Sequence, residues 1–267
     1  MTSLSKLMNM HGRRALITGA AGGLGRVMSE ALAEMGADLV LVDLPDTALS
    51  SQATVLSDRY GVRVQPEHCD IEDSDQREKL AERVLLNENL IDVLVNNAAF
   101  VGTSGLQGWS EPFERQTVET WRRALEVNLT SVFHLCQLFT PALRASQTGS
   151  IVNIASIYGE YGPDWALYEG TSMANPAAYG ASKGGVIQFT RWLATTLGPE
   201  VRVNAISPGG VARDQPESFV KQYEARTPLR RMATEDDFLG AIAYLASDMS
   251  GYVTGQIVRV DGGWGVW

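Results

Sequence analysis

Arg14-Ala-Leu-Ile-Thr18 runs straight into Gly19-Ala20-Ala21-Gly22-Gly23-Leu24-Gly25, and a helical pattern, Leu24–Met35, follows without a break. The first five residues read as a buried strand. Glycines at the turn let the backbone bend tightly and approach a pyrophosphate, and the helix start offers free N–H groups with partial positive charge. A nucleotide P-loop is excluded, because Arg26-Val27 stands where a Lys-Ser/Thr pair is needed. The next apolar run, Asp38–Asp43, ends in an acid 18 residues after Gly25. A carboxylate there accepts hydrogen bonds from the ribose hydroxyls of NAD and repels the extra phosphate of NADP. Leu44 follows, and no Lys or Arg lies between Gly19 and Gly25 to receive that phosphate. The plainer reading of Asp43 is a solvated strand end. Asp70-Ile71 closes the third run, where it can meet the adenine.

The pattern repeats along the chain. Val62–His68, Asp92–Asn96, Ser150–Ala155, Val201–Ser207 and Gln256–Val260 read as further strands, rich in Val, Ile and Leu and without polar alternation. Such runs suit a parallel sheet covered on both faces. Between them, Asp46–Tyr60, Ser74–Asn87, Val118–Leu143, Tyr179–Leu197 and Glu235–Leu245 carry helical periodicity, with N-cap arrangements at Asp73/Gln76 and Thr234/Asp237. This alternation predicts an α/β fold: a single-domain, Rossmann-type, doubly wound parallel sheet of about seven strands with helices on both faces. No linker or repeat interrupts it, so residues 1–267 read as one dinucleotide-binding and catalytic domain. Two stretches lack any period, Phe100–Gln116 and Ile157–Ala178. Both follow strand ends, where ligands of open α/β sheets bind.

Composition narrows the classes. The 267 residues are 45% hydrophobic, and 22 Lys+Arg against 31 Asp+Glu leave a formal charge of −9. No basic run offers a footprint for nucleic acid. No segment is long and apolar enough for a membrane span, and the first residues lack a signal-peptide core. Two isolated cysteines, Cys69 and Cys136, favour a reducing, cytoplasmic setting. His11, His68 and His134 show no metal-ligand spacing, so no metal is expected.

Tyr179-Gly-Ala-Ser-Lys183 opens a helix, and residues four apart share a face. A nearby ammonium stabilises a tyrosinate, so Lys183 is expected to draw the Tyr179 phenol toward neutrality and fit it for proton transfer. Ser156, just past its strand, can hydrogen-bond a reacting oxygen. Taken alone, the Tyr/Lys pair is an ordinary helix-surface pair; its weight comes from company.

That company resembles the short-chain dehydrogenase/reductase family over nearly the whole chain. The matching pieces are Thr18-Gly19-Ala-Ala-Gly-Gly23-Leu24-Gly25, Asn96-Asn97-Ala98, Asn128, Ser156, Tyr179-x-x-x-Lys183, Ser207-Pro208-Gly209 and Val260-Asp261-Gly262-Gly263. The resemblance implies an NAD(H)-dependent oxidoreductase that interconverts an alcohol and a carbonyl. It implies Tyr179 as acid/base and Lys183 on the nicotinamide ribose. It implies Ser156 orienting substrate, and Asn128 supporting a water-linked proton path to Lys183. Asn96 is implied to fix the fourth strand and the cofactor ribose, with Asn97 and Ala98 beside the cofactor. Pro208, Gly209 and Val211 are implied to border the nicotinamide. Family members are mostly homotetramers, or homodimers, built on long paired helices, here Val118–Leu143 and Tyr179–Leu197; Trp264 and Trp267 are placed to reach a neighbouring subunit.

Three departures stand out. Ala99 replaces the family's usual Gly. Arg213 stands where many relatives carry Thr against the cofactor's carboxamide or phosphates. Ser156 and Tyr179 are 23 residues apart, and the excess, Tyr158–Met173, carries Tyr158, Tyr161, Tyr168, Trp165, Glu160, Asp164 and Glu169. None of these tyrosines has Lys four residues on. Aromatic faces with carboxylates suit a sugar, sugar-nucleotide or sugar-acid substrate; the alternatives are a steroid or acyl hydroxy substrate, and rings that merely pack the loop down. Tyr168–Met173, Asp214-Gln-Pro-Glu217 and the Gly-Gly-Trp264 ending also resemble members that modify surface-polysaccharide and flagellin sugars. Arg226, Arg230 and Arg231 are candidate contacts for an anionic substrate group, or structural residues. A methyltransferase would need neither Tyr179 nor Lys183, and an NAD-sensing scaffold is expected to lose one of Ser156, Tyr179 and Lys183.

Overall fold

A computed structural model describes residues 3–86, 88–101 and 106–267. Seven parallel strands form one sheet in the order β3-β2-β1-β4-β5-β6-β7: β1 Arg14–Thr18, β2 Asp38–Asp43, β3 Val64–His68, β4 Val93–Asn96, β5 Gly149–Ile154, β6 Val201–Pro208 and β7 Ile257–Val260. The helices are α1 Leu4–Met8, α2 Gly23–Glu34, α3 Leu49–Tyr60, α4 Ser74–Leu85, α5 Val118–Leu125, α6 Ser131–Ala145, α7 Ala177–Leu197, α8 Glu217–Arg226 and α9 Leu239–Ala246. One sheet face packs on Leu80 and Val84 of α4, Leu135, Phe139 and Leu143 of α6, and Val186 and Leu193 of α7. The other packs on Met28 and Leu32 of α2, Leu56 of α3, and Ile242 and Leu245 of α9. Each such fully buried side chain contributes about 2 kcal/mol.

The sheet order reverses between β1 and β4. There the loops after the two strands part, opening a crevice beyond the strand ends.

Several expectations need correcting. β3 is not a buried strand beginning at Val62. It starts at Val64 and is only half-buried, because it is the sheet edge. An edge also tolerates Pro66, which has no N–H to donate. The other edge strand, β7, is likewise only partly covered. The run Val118–Leu143 is not one α-helix. A π-helical turn, Glu126–Thr130, joins α5 to α6. The helix expected over Glu235–Leu245 divides into a 3-10 turn, Glu235–Phe238, and α9, though the Thr234/Asp237 capping box forms as expected. The helix expected from Asp46 begins at Leu49. The end of the one expected over Ser74–Asn87 lies outside the described residues, as do residues 102–105 of the irregular stretch Phe100–Gln116. Helix α8 was not expected at all; its buried Phe219 and Tyr223, four apart, are the periodic signal it carried.

Candidate active site

The crevice is a cavity of about 680 Å³. Gly19, Gly23, Leu24 and Gly25 line one end with Asp43, Asp70 and Ile71; Asn97 and Ala98 line its floor; Ser156, Tyr179, Lys183, Pro208, Gly209 and Val211 line the other end. Residues from the ends of six strands, β1 to β6, thus converge on one space.

The glycine end is built by steric necessity. Gly19 has φ +65°, and a Cβ on it would lie 2.8 Å from the Ala98 Cα. A Cβ on Gly25 would lie 2.0 Å from the Gly19 carbonyl oxygen. Asn97 fastens the turn to β4, its Nδ2 donating to the Thr18 and Gly19 carbonyls at 2.9 and 3.0 Å. At the end of β2, the Asp43 carboxylate accepts from the Ala21 and Leu44 backbone N–H groups, each at 2.8 Å. The Arg26 Nε is held on the Ala21 carbonyl at 2.8 Å. A glycine turn, a helix start and a carboxylate lining one cavity fit a dinucleotide.

Tyr179 lies in the first turn of α7 and Lys183 one turn on. Lys183 is 3% exposed, and its Nζ donates to the Ile154 carbonyl, the last of β5, at 2.7 Å. That ammonium stands 5.9 Å from the centre of the Tyr179 ring. The expected electrostatics are reversed in the protein's own groups. Burial pushes the Tyr179 phenol above its ordinary value, while the facing Ser156 hydroxyl pulls it down. Burial also pulls Lys183 down to about 8. Desolvation outweighs the one-turn spacing here. Lys183 is therefore a group within reach of neutrality, held by a carbonyl.

Asn128 does not line the cavity. The π-turn places its side chain behind the wall. There Oδ1 accepts from the Phe100 N–H at 2.6 Å, and Nδ2 donates to the Phe100 carbonyl and the Ser182 hydroxyl at 3.1 Å each. Ser182 in turn donates to the Tyr179 carbonyl at 2.8 Å. Asn128 ties the loop after β4 to the start of α7, and no bond runs from it to Lys183 among the described contacts. Asn96 does not reach the cavity either; its Nδ2 bonds Asn153 Oδ1 at 2.9 Å, joining β4 to β5.

The insert Tyr158–Met173 also departs from expectation. Tyr158, Tyr161 and Tyr168 pack with Trp264, Phe219 and Tyr223 into a separate aromatic cluster. Glu160 pairs with Arg259, and Asp164 pairs with Arg226, whose guanidinium lies over the Trp264 ring. Arg231 is held by Asp237 and Arg230 by the Ala225 carbonyl, so none of the three candidate anion-binding arginines is free. Trp264 is 2% exposed, inside its own subunit; Trp267 is exposed. A second cavity of about 560 Å³, lined by Gln116, Trp165 and Asn175, borders Gly180, next to Tyr179.

Thr47, Glu72, Arg123 and Val127 line the cavity without having been singled out in the sequence; they are ordinary residues that only the fold gathers. Phe100 and Val101 open the irregular stretch after β4, and Arg213 stands out by its departure from Thr.

Known proteins share the sequence and fold of this chain over nearly its whole length. A family model described as Enoyl-(Acyl carrier protein) reductase matches residues 19–265. The 3-oxoacyl-(acyl-carrier-protein) reductase of Thermotoga maritima is 34% identical over 263 residues, 96% of this chain and 99% of that protein. A Beutenbergia cavernae structure, named as an NAD(P)-dependent gluconate 5-dehydrogenase with NADP at low occupancy, superposes with a TM-score of 0.86 at 32% identity, covering 98% and 100% of the two chains. An NAD+-bound xylitol dehydrogenase superposes at 0.84 with 29% identity, covering 95% and 99%. With a glycine turn, a Ser/Tyr/Lys wall and relatives matched end to end, this chain belongs to the short-chain dehydrogenase/reductase family, oxidoreductases that interconvert CH–OH and keto groups.

Proposed function

We propose that the chain is an NAD(H)-dependent dehydrogenase, a single catalytic domain that interconverts an alcohol and the matching carbonyl, a secondary alcohol giving a ketone and a primary one an aldehyde. One observation carries this reading: Ser156, Tyr179 and Lys183 line the same cavity as the glycine turn and Asp43. The nicotinamide would supply or accept the hydride. Tyr179 gives or takes the proton of the reacting oxygen, and Ser156 holds that oxygen. Lys183, fixed on the Ile154 carbonyl, would border the ribose of the bound cofactor and keeps a positive charge beside the phenol below pH about 8. Asn128 positions the start of α7 through Ser182.

Asp43 supports NAD over NADP. Its carboxylate lies in the cavity with two backbone donors already bound, a negative charge that a 2′-phosphate would meet directly. Wild type is expected to prefer NADH. Asp43→Asn keeps the acceptor oxygen and removes the charge, so the NADH/NADPH ratio of kcat/KM should fall about tenfold. Steady-state rates with both cofactors check this, and a wild type that prefers NADPH sinks the assignment.

For substrate we favour a polyhydroxylated molecule: a sugar, sugar acid or sugar nucleotide. The support is the second cavity beside Gly180, which the exposed Trp165 lines together with Asn175 and Gln116, and the gluconate and xylitol names of two relatives. A ketoacyl substrate is the second reading, favoured by the Thermotoga relative and by the apolar wall of Phe100 and Val101. A panel of polyols, aldonates, sugar nucleotides, ketoacyl thioesters and steroids separates them. Turnover confined to thioesters or steroids overturns the sugar reading.

We also assign a homotetramer, or homodimer, built on α6 and α7. Phe133, Phe189 and Trp192 form a contiguous ring strip across these helices, with Phe133 and Trp192 46% and 56% exposed. Trp192→Glu is expected to shift the mass measured by light scattering to that of one chain, and an unchanged mass contradicts the assignment. The two thiols, Cys69 and Cys136, are unpaired, which supports a reducing, cytoplasmic setting. No helix among the described residues is long and apolar enough to cross a membrane.

A further inference from the structure

Arg213 has no part in the chemistry just described, yet it faces the cavity. Its backbone is clamped: Gln215 Oε1 accepts from the Arg213 N–H at 2.6 Å, and Gln215 Nε2 donates to the Val211 carbonyl at 2.8 Å. The guanidinium reaches from there across the first turn of α2. A Cβ on Gly23 would lie 2.7 Å from Arg213 Nη2 and 2.7 Å from the Glu235 carboxylate, so the ion pair of Arg213 with Glu235 straddles that turn. Helix α2 starts without a side-chain cap. Its leading N–H groups and the Arg213 cation thus flank the same space.

The other cations lining the cavity are committed elsewhere. Lys183 is held by the Ile154 carbonyl, and Arg123 pairs with Glu72 and lies over the Phe100 ring. Among the described residues, Arg213 is the lining cation beside the glycine turn. Its guanidinium is half-exposed and its pair with Glu235 is partly solvated, an arrangement that contributes little to stability. A doubly charged anion outbids a single carboxylate for such a group, because charge-assisted and bidentate bonds to phosphate oxygens are the stronger kind.

We propose that Arg213 is a cationic contact for the pyrophosphate of the bound dinucleotide and that Glu235 competes for it, an internal carboxylate that the cofactor displaces. This rests on the dinucleotide reading of the cavity and adds a residue to it. A threonine at this position offers one neutral hydroxyl; an arginine makes cofactor affinity dependent on ionic strength and on a neighbouring acid.

Calorimetric titration of wild type, Arg213→Ala, Arg213→Lys and Glu235→Gln tests it, with ADP-ribose, NADH and NADPH as probes at low and high salt. ADP-ribose carries the pyrophosphate without the nicotinamide or the 2′-phosphate. Arg213→Ala is expected to weaken ADP-ribose and NADH by the same factor, about ten- to thirtyfold, and to flatten the salt dependence of both. Arg213→Lys should recover part of the loss. Glu235→Gln should tighten both ligands about two- to fivefold. Thermal unfolding of the ligand-free variants reports folding separately, and Arg213→Lys with Glu235→Gln carry the test if the alanine variant does not fold. Unchanged ADP-ribose affinity in Arg213→Ala overturns the proposal while leaving the NAD reading intact. A loss confined to NADPH shows a 2′-phosphate contact and overturns both. Weaker binding by Glu235→Gln shows that Glu235 orients Arg213 and overturns the competition. A wild type that binds none of the probes overturns the cavity assignment and the proposal together.

Discussion

Tyr179→Phe is expected to lower kcat/KM for alcohol oxidation by about a thousandfold while leaving dinucleotide affinity within a factor of about three. The substitution removes one oxygen and leaves the ring in its half-buried place, so packing is nearly unchanged. What is lost is the proton donor and acceptor opposite Ser156. The pH dependence carries the sign. Oxidation needs the phenolate, so its kcat/KM rises with pH; reduction needs the phenol, so its kcat/KM falls through the same group. Burial holds the phenol above its ordinary value. Lys183, pulled down to about 8, loses its charge above that pH and with it the nearest cation to the phenol. The oxidation profile should therefore still be climbing above pH 8. Equal turnover by wild type and Tyr179→Phe in stopped-flow and steady-state assays removes Tyr179 from the chemistry; intact NADH binding with an inert wild type points instead to a sensor.

Gly25→Ala is expected to abolish dinucleotide binding, by a hundredfold or more in Kd, and to destabilise the fold by about 3 kcal/mol. The added methyl would lie 2.0 Å from the Gly19 carbonyl oxygen and 2.8 Å from the Ala20 Cα. Both are backbone atoms of the turn, so no side chain can rotate aside. Either α2 retreats from β1 or the turn opens, and both move the N–H groups away from the pyrophosphate. Gly240→Ala is the matched control. It lies in α9 with nothing within 4 Å of its Cβ and should be neutral or slightly stabilising. Calorimetry and thermal unfolding should separate the two variants by roughly 6–12 °C. A Gly25→Ala protein that melts like wild type and binds NADH normally contradicts the packing at this turn.

Both predictions concern places where the chain states its purpose openly. β1 and β2 are legible because interior strands are apolar throughout, and the glycine turn because only glycine fits. The edge strand β3 is less so, since a half-covered strand carrying Pro66 has weaker patterning. Tyr179, Lys183 and Ser156 are legible as types and spacings, but their electrostatics are not: burial, which no spacing reports, decides that the phenol goes up and the ammonium down. The insert shows the same limit. Its acids Asp164 and Glu160 look like sugar contacts until Arg226 and Arg259, 62 and 99 residues away in sequence, turn out to be their partners, while its Tyr158, Tyr161 and Trp165 line the cavity beside Gly180. Composition says what a loop carries, and only tertiary packing says whom it meets.

The π-helical turn at Glu126–Thr130 has a consequence for reading the long helix as a surface. A wheel drawn from the buried Thr120 and Ala124 at 100° per residue centres the inward face of the following helix on Ser131 and Leu138. The residues actually buried in α6 are Ser131, Val132, Leu135, Cys136, Phe139, Ala142 and Leu143, a face centred about 70° further round. The turn holds one surplus residue, and everything after it is rotated accordingly. Shortening the turn by a single residue would leave the composition almost untouched, yet it would swing Asn128 off the Phe100 loop and turn the α6 core face out of the sheet. The site therefore depends on chain length at this point as well as on the identity of its side chains.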